Sequence, residues 1–249
     1  CEVVSHQAAI PSGQRALDAP LATHEANVTG TLVLLEGARR AGVRRLVYAA
    51  SSSAYGDAEV LPKREDMPAR SLSPYALQKY ASEVYCAQYA GLFGLQTVAL
   101  RYFNVFGPRQ DPRSDYAAVI PLFVSALAEG RRPTIFGDGL QSRDFTFVED
   151  VVAANRAAAA APAEAAGQVF NIGCGARSTL LELLEVIAEV LGVDGVEPDF
   201  QPVRPGDVRH SQADVSRARE VLGWSPRVPL REGIARTAEF MKHVVRGAA

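Results

Sequence analysis

Short apolar runs alternate with longer stretches of helical spacing along the first half of the chain. Residues 45–50 are almost wholly apolar and run into three serines, and residues 96–102 precede a Gly/Pro-rich loop at 104–113. The apolar positions of 27–41 recur at helical spacing, and Ser73-Pro74 is a typical helix start for 74–90. The pattern predicts buried parallel strands joined by helices, with ligands bound at the carboxyl ends of the strands.

The pattern of apolar and polar positions changes after Pro121. There the pattern predicts a helix over 122–129, a short strand over 133–136, another strand near 169–173 and an amphipathic helix over 180–191. We expect 1–115 to form a sheet domain to which one or more later segments return. Residues 116–249 are expected to form mainly a smaller α/β lobe.

Composition narrows the possible partners. The 249 residues are 48% hydrophobic and 22% charged, with a formal net charge of -2. The basic residues are dispersed, which argues against nucleic acid as a partner. No apolar run is long enough to span a bilayer, and the N-terminus does not resemble a signal peptide. The three cysteines are far apart, so a disulfide framework or zinc site is not expected, no metal is assigned, and a cytoplasmic location is the default.

Two groups of residues carry candidate chemistry. Tyr75 and Lys79 are four residues apart at a predicted helix start, so their side chains share a face. An ammonium beside a phenol lowers the pKa of the phenol, which could then act as a general base towards a hydroxyl. Two exposed helix residues without any catalytic role would show the same spacing, so the motif alone does not establish a function. The serines 51–53 end a predicted strand and could hydrogen-bond a substrate oxygen, although serine is also ordinary turn chemistry.

Three blocks in this order carry a resemblance to a known family. They are AASSSAYG at 49–56, SPYALQK at 73–79 and LRYFNVFGPRQDP at 100–112. Together they resemble the NAD-dependent epimerase/dehydratase family of extended short-chain dehydrogenases, and most closely its UDP-glucose and UDP-N-acetylglucosamine 4-epimerase branch. The resemblance implies a Rossmann-like, doubly wound parallel α/β sheet that binds NAD, with a C-terminal lobe that binds a nucleotide sugar.

The resemblance also implies roles for single residues. Tyr75 would exchange the proton of the sugar 4-hydroxyl, Lys79 would hold the nicotinamide ribose and lower the pKa of the tyrosine, and Ser51 stands at the catalytic Ser/Thr position. The positions implied to contact NAD are Ala8, Ala9, Asn27, Tyr75, Lys79 and Tyr102.

A second set of positions is implied to bind the UDP-sugar. Asn104, Arg143 and Arg204 would hold the diphosphate, because guanidinium groups grip phosphate oxygens, and Asp207 would hold the uridine ribose. The uracil pocket would be built from 117–121 and 134–136, including Ala118, Val119, Thr134 and Phe136. Ser12, Ser52, Ser53 and Ser211 would line the sugar site.

Ser211 bears on the choice of sugar. A tyrosine at this position narrows the pocket beside sugar C2 in some members of the family, whereas a small residue leaves room for an N-acetyl group. The serine therefore favours acceptance of UDP-GlcNAc and UDP-GalNAc in addition to UDP-glucose and UDP-galactose.

The chain departs from the family pattern at its start. The glycine-rich loop that binds the dinucleotide pyrophosphate is not found. We therefore expect the N-terminal part of the Rossmann domain to be missing, which leaves open whether this chain alone holds NAD or is active.

Other functions stay open at this stage. An NDP-sugar 4,6-dehydratase would typically carry Thr-Asp-Glu in place of residues 51–53, and a UDP-glucuronate decarboxylase would differ around Asn104. A non-catalytic protein that binds a nucleotide sugar is the alternative outside the enzymes. Homodimerisation through the helices near 27–41 and 74–91 is expected from the resemblance.

Overall fold

The computed structural model describes residues 1–114, 117–203 and 207–246. The strands of this part of the chain are β1 (Val3–His6), β2 (Arg45–Ser51), β3 (Gln96–Tyr102), β4 (Asn104–Phe106), β5 (Thr134–Phe136), β6 (Ser142–Arg143), β7 (Phe145–Phe147), β8 (Val169–Ile172), β9 (Ser178–Thr179) and β10 (Asp199–Gln201).

The α-helices alternate with these strands. They are α1 (Gly13–Asp18), α2 (Pro20–His24), α3 (Gly30–Arg40), α4 (Pro74–Phe93), α5 (Val119–Ala128), α6 (Val148–Ala160), α7 (Leu180–Leu191), α8 (Ser216–Leu222) and α9 (Leu230–Arg246). One turn of π-helix, Glu25–Thr29, joins α2 to α3, and 3₁₀ turns cover Ser52–Tyr55 and Ala163–Ala165.

The main sheet has the strand order β1-β2-β3-β8, and all its described pairings are parallel. Parallel strands need crossover connections, and here helices supply them on both faces. Side chains alternate along β2, so Leu46 and Tyr48 pack under α3 and α4 while Val47 faces the cluster that contains α6. The molecule is thus a doubly wound α/β sheet, and the strands predicted at 45–50 and 96–102 are confirmed, the first extending by one residue to Ser51.

The later part of the chain contributes to two cores. Helices α6 and α8 pack on the sheet with Phe170 of β8, whereas α5, α7 and α9 form a separate apolar cluster with Ile135 of β5. The short pairs β4-β7, β5-β10 and β6-β9 lie outside the main sheet. A division of the chain at residue 115 stays a prediction.

Local sequence explains the helix that matters most for the site. Helix α4 begins at Pro74, whose missing N–H costs nothing at a first helical position, and the Ser73 hydroxyl accepts a hydrogen bond from the Ala76 N–H at 3.2 Å. The helix ends at Gly94, which adopts the left-handed conformation that glycine tolerates best. None of the described helices is long and apolar enough to cross a membrane.

Candidate active site

The carboxyl ends of β2 and β3 and the start of α4 meet around one group of hydroxyls, which we call the catalytic wall: Ser51, Ser53 and Tyr75. Ser51 is the last residue of β2, and its Oγ lies 2.8 Å from Ser53 Oγ in a shared hydrogen bond. The Ser53 N–H also donates to Ser51 Oγ at 3.2 Å. The 3₁₀ turn therefore folds back on the strand end and orients the Ser51 hydroxyl.

Burial governs the ionisation of Tyr75. It raises the pKa of the phenol, and a hydrogen bond with the Ser51 hydroxyl acts in the opposite direction. The expected lowering of this pKa by Lys79 stays a prediction.

Lys79 faces the sheet beneath the same helix and is only 4% exposed. Its Nζ lies 4.5 Å from the centroid of the Tyr48 ring, and burial lowers its pKa to about 8. Within the part of the chain that the structure describes, no carboxylate pairs with this ammonium. Its donors are therefore available to a ligand with hydroxyl acceptors.

Asn27 holds the loop that follows β1. Its Oδ1 accepts from the Ile10 N–H at 2.7 Å, and its Nδ2 donates to the Ile10 carbonyl and to Gln78 Oε1, both at 3.0 Å. Both amide hydrogens are thus used inside the protein. The structure gives Asn27 the role of fixing the loop that contains Ala8 and Ala9, rather than a free amide for direct contact with a cofactor.

Tyr102 ends β3 beside that loop. Its hydroxyl donates to Gln7 Oε1 at 3.0 Å and accepts from Asn155 Nδ2 at 2.7 Å. Asn155 belongs to α6, so this triangle ties together the ends of β1 and β3 and a helix on the opposite face. It fixes the edge of the sheet where the sequence predicts ligand binding.

A cavity of 580 Å³ opens in front of the catalytic wall. It brings together most of the residues that the sequence predicts for catalysis and substrate binding: Ser12, Ser51, Ser52, Ser53, Tyr75, Tyr102, Asn104, Arg143, Asp207 and Ser211. Ala8, Ala9, Asn27 and Lys79 do not line it. Ala8 and Ala9 lie in the loop after β1, Asn27 in the π-helical turn and Lys79 on the sheet side of α4. Tyr75 and Tyr102, which are also predicted to contact NAD, do line the cavity.

A second cavity of 270 Å³, which we call the nucleotide end, continues from the first. Asn104, Arg143 and Asp207 line both cavities. The predicted Ala118, Val119, Thr134 and Phe136 all line the second, together with apolar side chains of α5. The two cavities therefore form one cleft with three polar residues at its middle.

Arg143 crosses the junction of the two cavities. Its Nη2 donates to Asp207 Oδ1 at 3.0 Å, and its Nη1 donates to the backbone carbonyls of Ser142 and Arg209. The guanidinium is thus held in place by the protein before any ligand arrives. Arg204, the other predicted diphosphate ligand, lies outside the described residues.

A buried carboxylate positions this junction from behind. Asp144 is fully buried, and its carboxylate accepts backbone N–H groups of Cys174 at 2.6 Å and of Gly175 and Ala213 at 3.0 Å. Its own backbone carbonyl accepts from the Asn104 N–H at 3.0 Å. Asp144 therefore ties three distant segments, at Asn104, at residues 174–175 and at Ala213, to the strand end beside Arg143. The sequence did not indicate this role, although Asp144 directly follows the predicted arginine.

The sequence analysis also gave no role to a lysine and a histidine in the cleft. Lys63 is buried in the wall of the larger cavity and donates to the Ala58 carbonyl, and His210 lines the same cavity with its Nδ1 2.9 Å from Ser142 Oγ. Neither stands in a recognisable motif, so no signal in the sequence identified them.

Comparison with known proteins identifies relatives over nearly the whole chain. Residues 1–173 match the family model described as the NAD dependent epimerase/dehydratase family. A UDP-glucose 4-epimerase of Mycolicibacterium smegmatis is 46% identical over 97% of this chain and 76% of its own length. A putative UDP-glucose 4-epimerase of Methanocaldococcus jannaschii is 39% identical over 97% of this chain and 77% of its own.

Solved structures agree with these relatives. A UDP-glucose 4-epimerase of Thermotoga maritima with UDP-glucose superposes with a TM-score of 0.94 at 38% identity, over 98% of this chain and 78% of that one. A UDP-N-acetylglucosamine 4-epimerase of Methanobrevibacter ruminantium in complex with UDP-N-acetylmuramic acid gives a TM-score of 0.93 at 36% identity, over 98% and 77%. The comparisons also include a dTDP-glucose 4,6-dehydratase of Actinoplanes, 33% identical over 97% of this chain and 73% of its own.

Proposed function

Because the chain belongs to the NAD-dependent epimerase/dehydratase family, we propose that it serves the 4-epimerisation of a UDP-sugar. The observation that carries the proposal is the single cleft that joins the hydroxyls of the catalytic wall to a polar junction and an apolar end. This is the order in which a UDP-sugar presents its sugar, diphosphate and base.

The residues present fit NAD. The ammonium of Lys79 has no carboxylate partner among the described residues, and the loop of Ala8 and Ala9 is held at the carboxyl ends of the strands by Asn27. Lys79 would hold the nicotinamide ribose, with Ala8, Ala9 and Tyr102 beside the cofactor. When bound, NAD would supply a reversible hydride acceptor for sugar C4.

Tyr75 would act as the acid and base for the sugar 4-hydroxyl, because its phenol lines the cavity and touches the oriented Ser51 hydroxyl. Ser51 would hold the reacting oxygen near the phenol, with Ser52, Ser53 and Ser12 around the sugar. Both faces of C4 must be presented in turn, and the 580 Å³ cavity leaves room for the sugar to rotate.

Arg143, Asp207 and Asn104 would anchor the nucleotide part while the sugar turns. A guanidinium already held by Asp207 and two carbonyls loses little freedom when it binds phosphate oxygens. Ala118, Val119, Thr134 and Phe136 would enclose the base.

Elimination of water is less well supported than epimerisation. Asp207 is the one acidic residue among the described residues that line the larger cavity, and it is paired with Arg143. The strand end carries three serines where a 4,6-dehydratase typically carries an acid pair. The proposal therefore favours an epimerase over a dehydratase or a decarboxylase.

The test of the activity uses the full-length gene product with NAD. It is incubated separately with UDP-glucose and UDP-GlcNAc, and the 4-epimers are resolved by chromatography. Formation of UDP-galactose or UDP-GalNAc supports the proposal. A 4-keto-6-deoxy product, or no conversion of either sugar, would overturn it.

Ser211 sets the expected sugar range. It is 8% exposed and lines the larger cavity, so a bulkier side chain there would reduce the room beside the sugar. We expect Ser211→Tyr to lower kcat/KM for UDP-GlcNAc by roughly tenfold or more while that for UDP-glucose changes little, since the discrimination is steric. Ser211→Ala is the matched control and should keep both activities; equal losses for the two sugars in Ser211→Tyr would contradict the assignment.

A homodimer and a cytoplasmic location complete the proposal. Helices α3 and α4 lie side by side on one face of the sheet and expose Val33, Val84 and Leu92, an apolar surface suited to a second copy. Leu92→Glu should shift the protein from dimer to monomer in analytical ultracentrifugation. An unchanged mass would contradict the proposal that this surface forms the dimer interface. The three cysteines are free, which fits a reducing compartment.

A further inference from the structure

The face of α4 that carries Tyr75 and Lys79 also carries a buried carboxylate, Glu83. Glu83 follows Lys79 by four residues, so the three side chains project from one face of the helix towards the sheet. Glu83 and its partner Arg101 on β3 are both more than nine-tenths buried. Arg101 Nε donates to Glu83 Oε2 at 2.8 Å, and Arg101 Nη2 donates to Glu83 Oε1 at 2.6 Å. This two-point ion pair fixes both the height and the rotation of α4 on β3.

The same guanidinium also touches the turn of the catalytic wall. The carbon of the Arg101 guanidinium lies 4.6 Å from the centroid of the Tyr55 ring, a cation–π contact. Tyr55 closes the 3₁₀ turn that begins at Ser52, and its hydroxyl donates to Asn171 Oδ1 at 2.7 Å. Arg101 therefore contacts the helix that carries Tyr75 and the turn that follows Ser51, without lining the substrate cavity.

A buried ion pair contributes little to the net free energy of folding, because both ions lose their hydration. Arg101 Nη1 is buried and has no hydrogen-bond acceptor within bonding distance among the described residues, which adds to that cost. What the pair provides that an apolar contact would not is direction: two charge-assisted hydrogen bonds in the plane of the guanidinium. The two hydrogen bonds join α4, which carries Tyr75, to β3, whose Arg101 pairs with Ala50 of β2 directly before Ser51. The same guanidinium also contacts Tyr55 in the turn that follows Ser51.

We propose that Glu83 and Arg101 form a positioning pair that sets Tyr75 against Ser51 for proton exchange with the substrate. The kinetic part of this inference rests on the proposed epimerase function, whereas the positioning of Tyr75 does not. Neither residue touches the substrate cavity. A misplacement of catalytic groups by about 1 Å is enough to reduce a rate by about 100-fold.

The first test is spectroscopic and needs no turnover. Tyrosines are labelled with ¹³C at Cζ, and the Tyr75 resonance is assigned with Tyr75→Phe. The test protein carries Glu83→Met together with Arg101→Met, a change that leaves no unpaired buried charge and keeps the volume filled. We expect the Tyr75 resonance to move although Tyr75 does not contact the pair. A change confined to Tyr55, which contacts Arg101 directly, would overturn the proposal.

The second test separates kcat from KM. In the double methionine variant and in Arg101→Lys, which keeps the charge but loses the two-point geometry, we expect kcat to fall by roughly 10- to 100-fold. The KM for the UDP-sugar should stay within about threefold, because Arg143 and the nucleotide end are untouched. Wild-type kcat in the folded double variant, or kcat losses that simply follow the loss of thermal stability, would overturn the proposal.

A matched control is the exposed ion pair between Glu129 and Arg131, 2.6 Å apart and outside both cavities. Glu129→Gln should leave the Tyr75 resonance and kcat unchanged. If the wild-type protein converts no UDP-sugar, the proposed function fails, and the movement or constancy of the Tyr75 resonance still decides whether the pair positions Tyr75.

Discussion

Around Tyr75 the cleft is lined by polar side chains that bond to one another, whereas around Phe136 it is lined by the apolar side chains of α5 and by β5. In the catalytic wall, hydrogen bonds of 2.8 and 3.2 Å fix Ser51 and Ser53 against each other, and the helix start capped by Ser73 positions Tyr75. The nucleotide end depends on shape, with Asn104, Arg143 and Asp207 as its polar rim.

The difference teaches how one cleft could meet two opposing demands. A substrate that must be turned over between two hydrogen transfers cannot be held tightly at its reacting end, so its binding energy is better placed elsewhere. Arg143 and the apolar walls can supply that energy, while the catalytic wall presents fixed hydroxyls. The comparison predicts that changes at the two ends affect different kinetic constants.

The largest effect is expected at the catalytic wall. Tyr75→Phe removes the acid–base group without changing the ring, so kcat should fall by about 10²- to 10⁴-fold while UDP-sugar binding is kept. Epimer formation gives kcat, and calorimetric titration with UDP-sugar gives the affinity. Tyr85→Phe on the same helix is the control, since Tyr85 lines neither cavity. A parallel loss of binding in Tyr75→Phe would break the division between the two ends.

A smaller effect, on KM rather than on kcat, is expected for Arg143 at the junction of the two cavities. Arg143→Met removes charge-assisted hydrogen bonds worth about 1.5–3 kcal/mol, so KM should rise by roughly 10- to 100-fold with kcat nearly unchanged. Arg231→Met is the control, because that exposed side chain pairs with Glu189 and lines neither cavity. A fall in kcat at constant KM would contradict the role of Arg143 as an anchor.

Many of these features could be predicted from the sequence because they repeat a local pattern. The buried runs of β2 and β3 and the Ser-Pro start of α4 are such patterns, and the spacing of Tyr75 and Lys79 placed both on one helix face. The residues proposed for the base pocket do line one cavity, although their contact with a base stays a prediction.

Other features depend on burial or on distant segments and could not be predicted. Residues 13–24 form two short helices for which the sequence yields no prediction, because neither helix is long enough to show a period. The Tyr75 pKa moves upwards because burial dominates, and burial is not a property of the motif. The Asp144 carboxylate accepts hydrogen bonds from residues 31 and 69 positions away, and no local pattern in the sequence reveals such partners.

A last effect, on stability rather than on catalysis, concerns the free energy of unfolding of the protein at different pH. The pKa of Lys79 is lowered to about 8 in the folded chain, below the ordinary 10.5. Between these values the unfolded chain binds more protons, so this lysine makes wild-type stability rise with pH from about 8 to 10.5. At pH 7 the penalty is about 3 kcal/mol, from about 1.4 kcal/mol per pKa unit.

Lys79→Met should therefore be more stable than wild type in urea unfolding at pH 7, and its advantage should shrink at pH 9 and 10. Lys242→Met is the control, because Lys242 is exposed on α9. An advantage that does not change with pH would show that Lys79 titrates normally in the folded protein.

The central claim is that the hydrogen of sugar C4 leaves and returns inside one cleft. The most direct measurement is the reaction of the full-length gene product with NAD and a UDP-sugar in D₂O, followed by NMR of the products. The account predicts a 4-epimer without solvent deuterium at C4. Deuterium at C4, or a 4-keto-6-deoxy or pentose product, would contradict it.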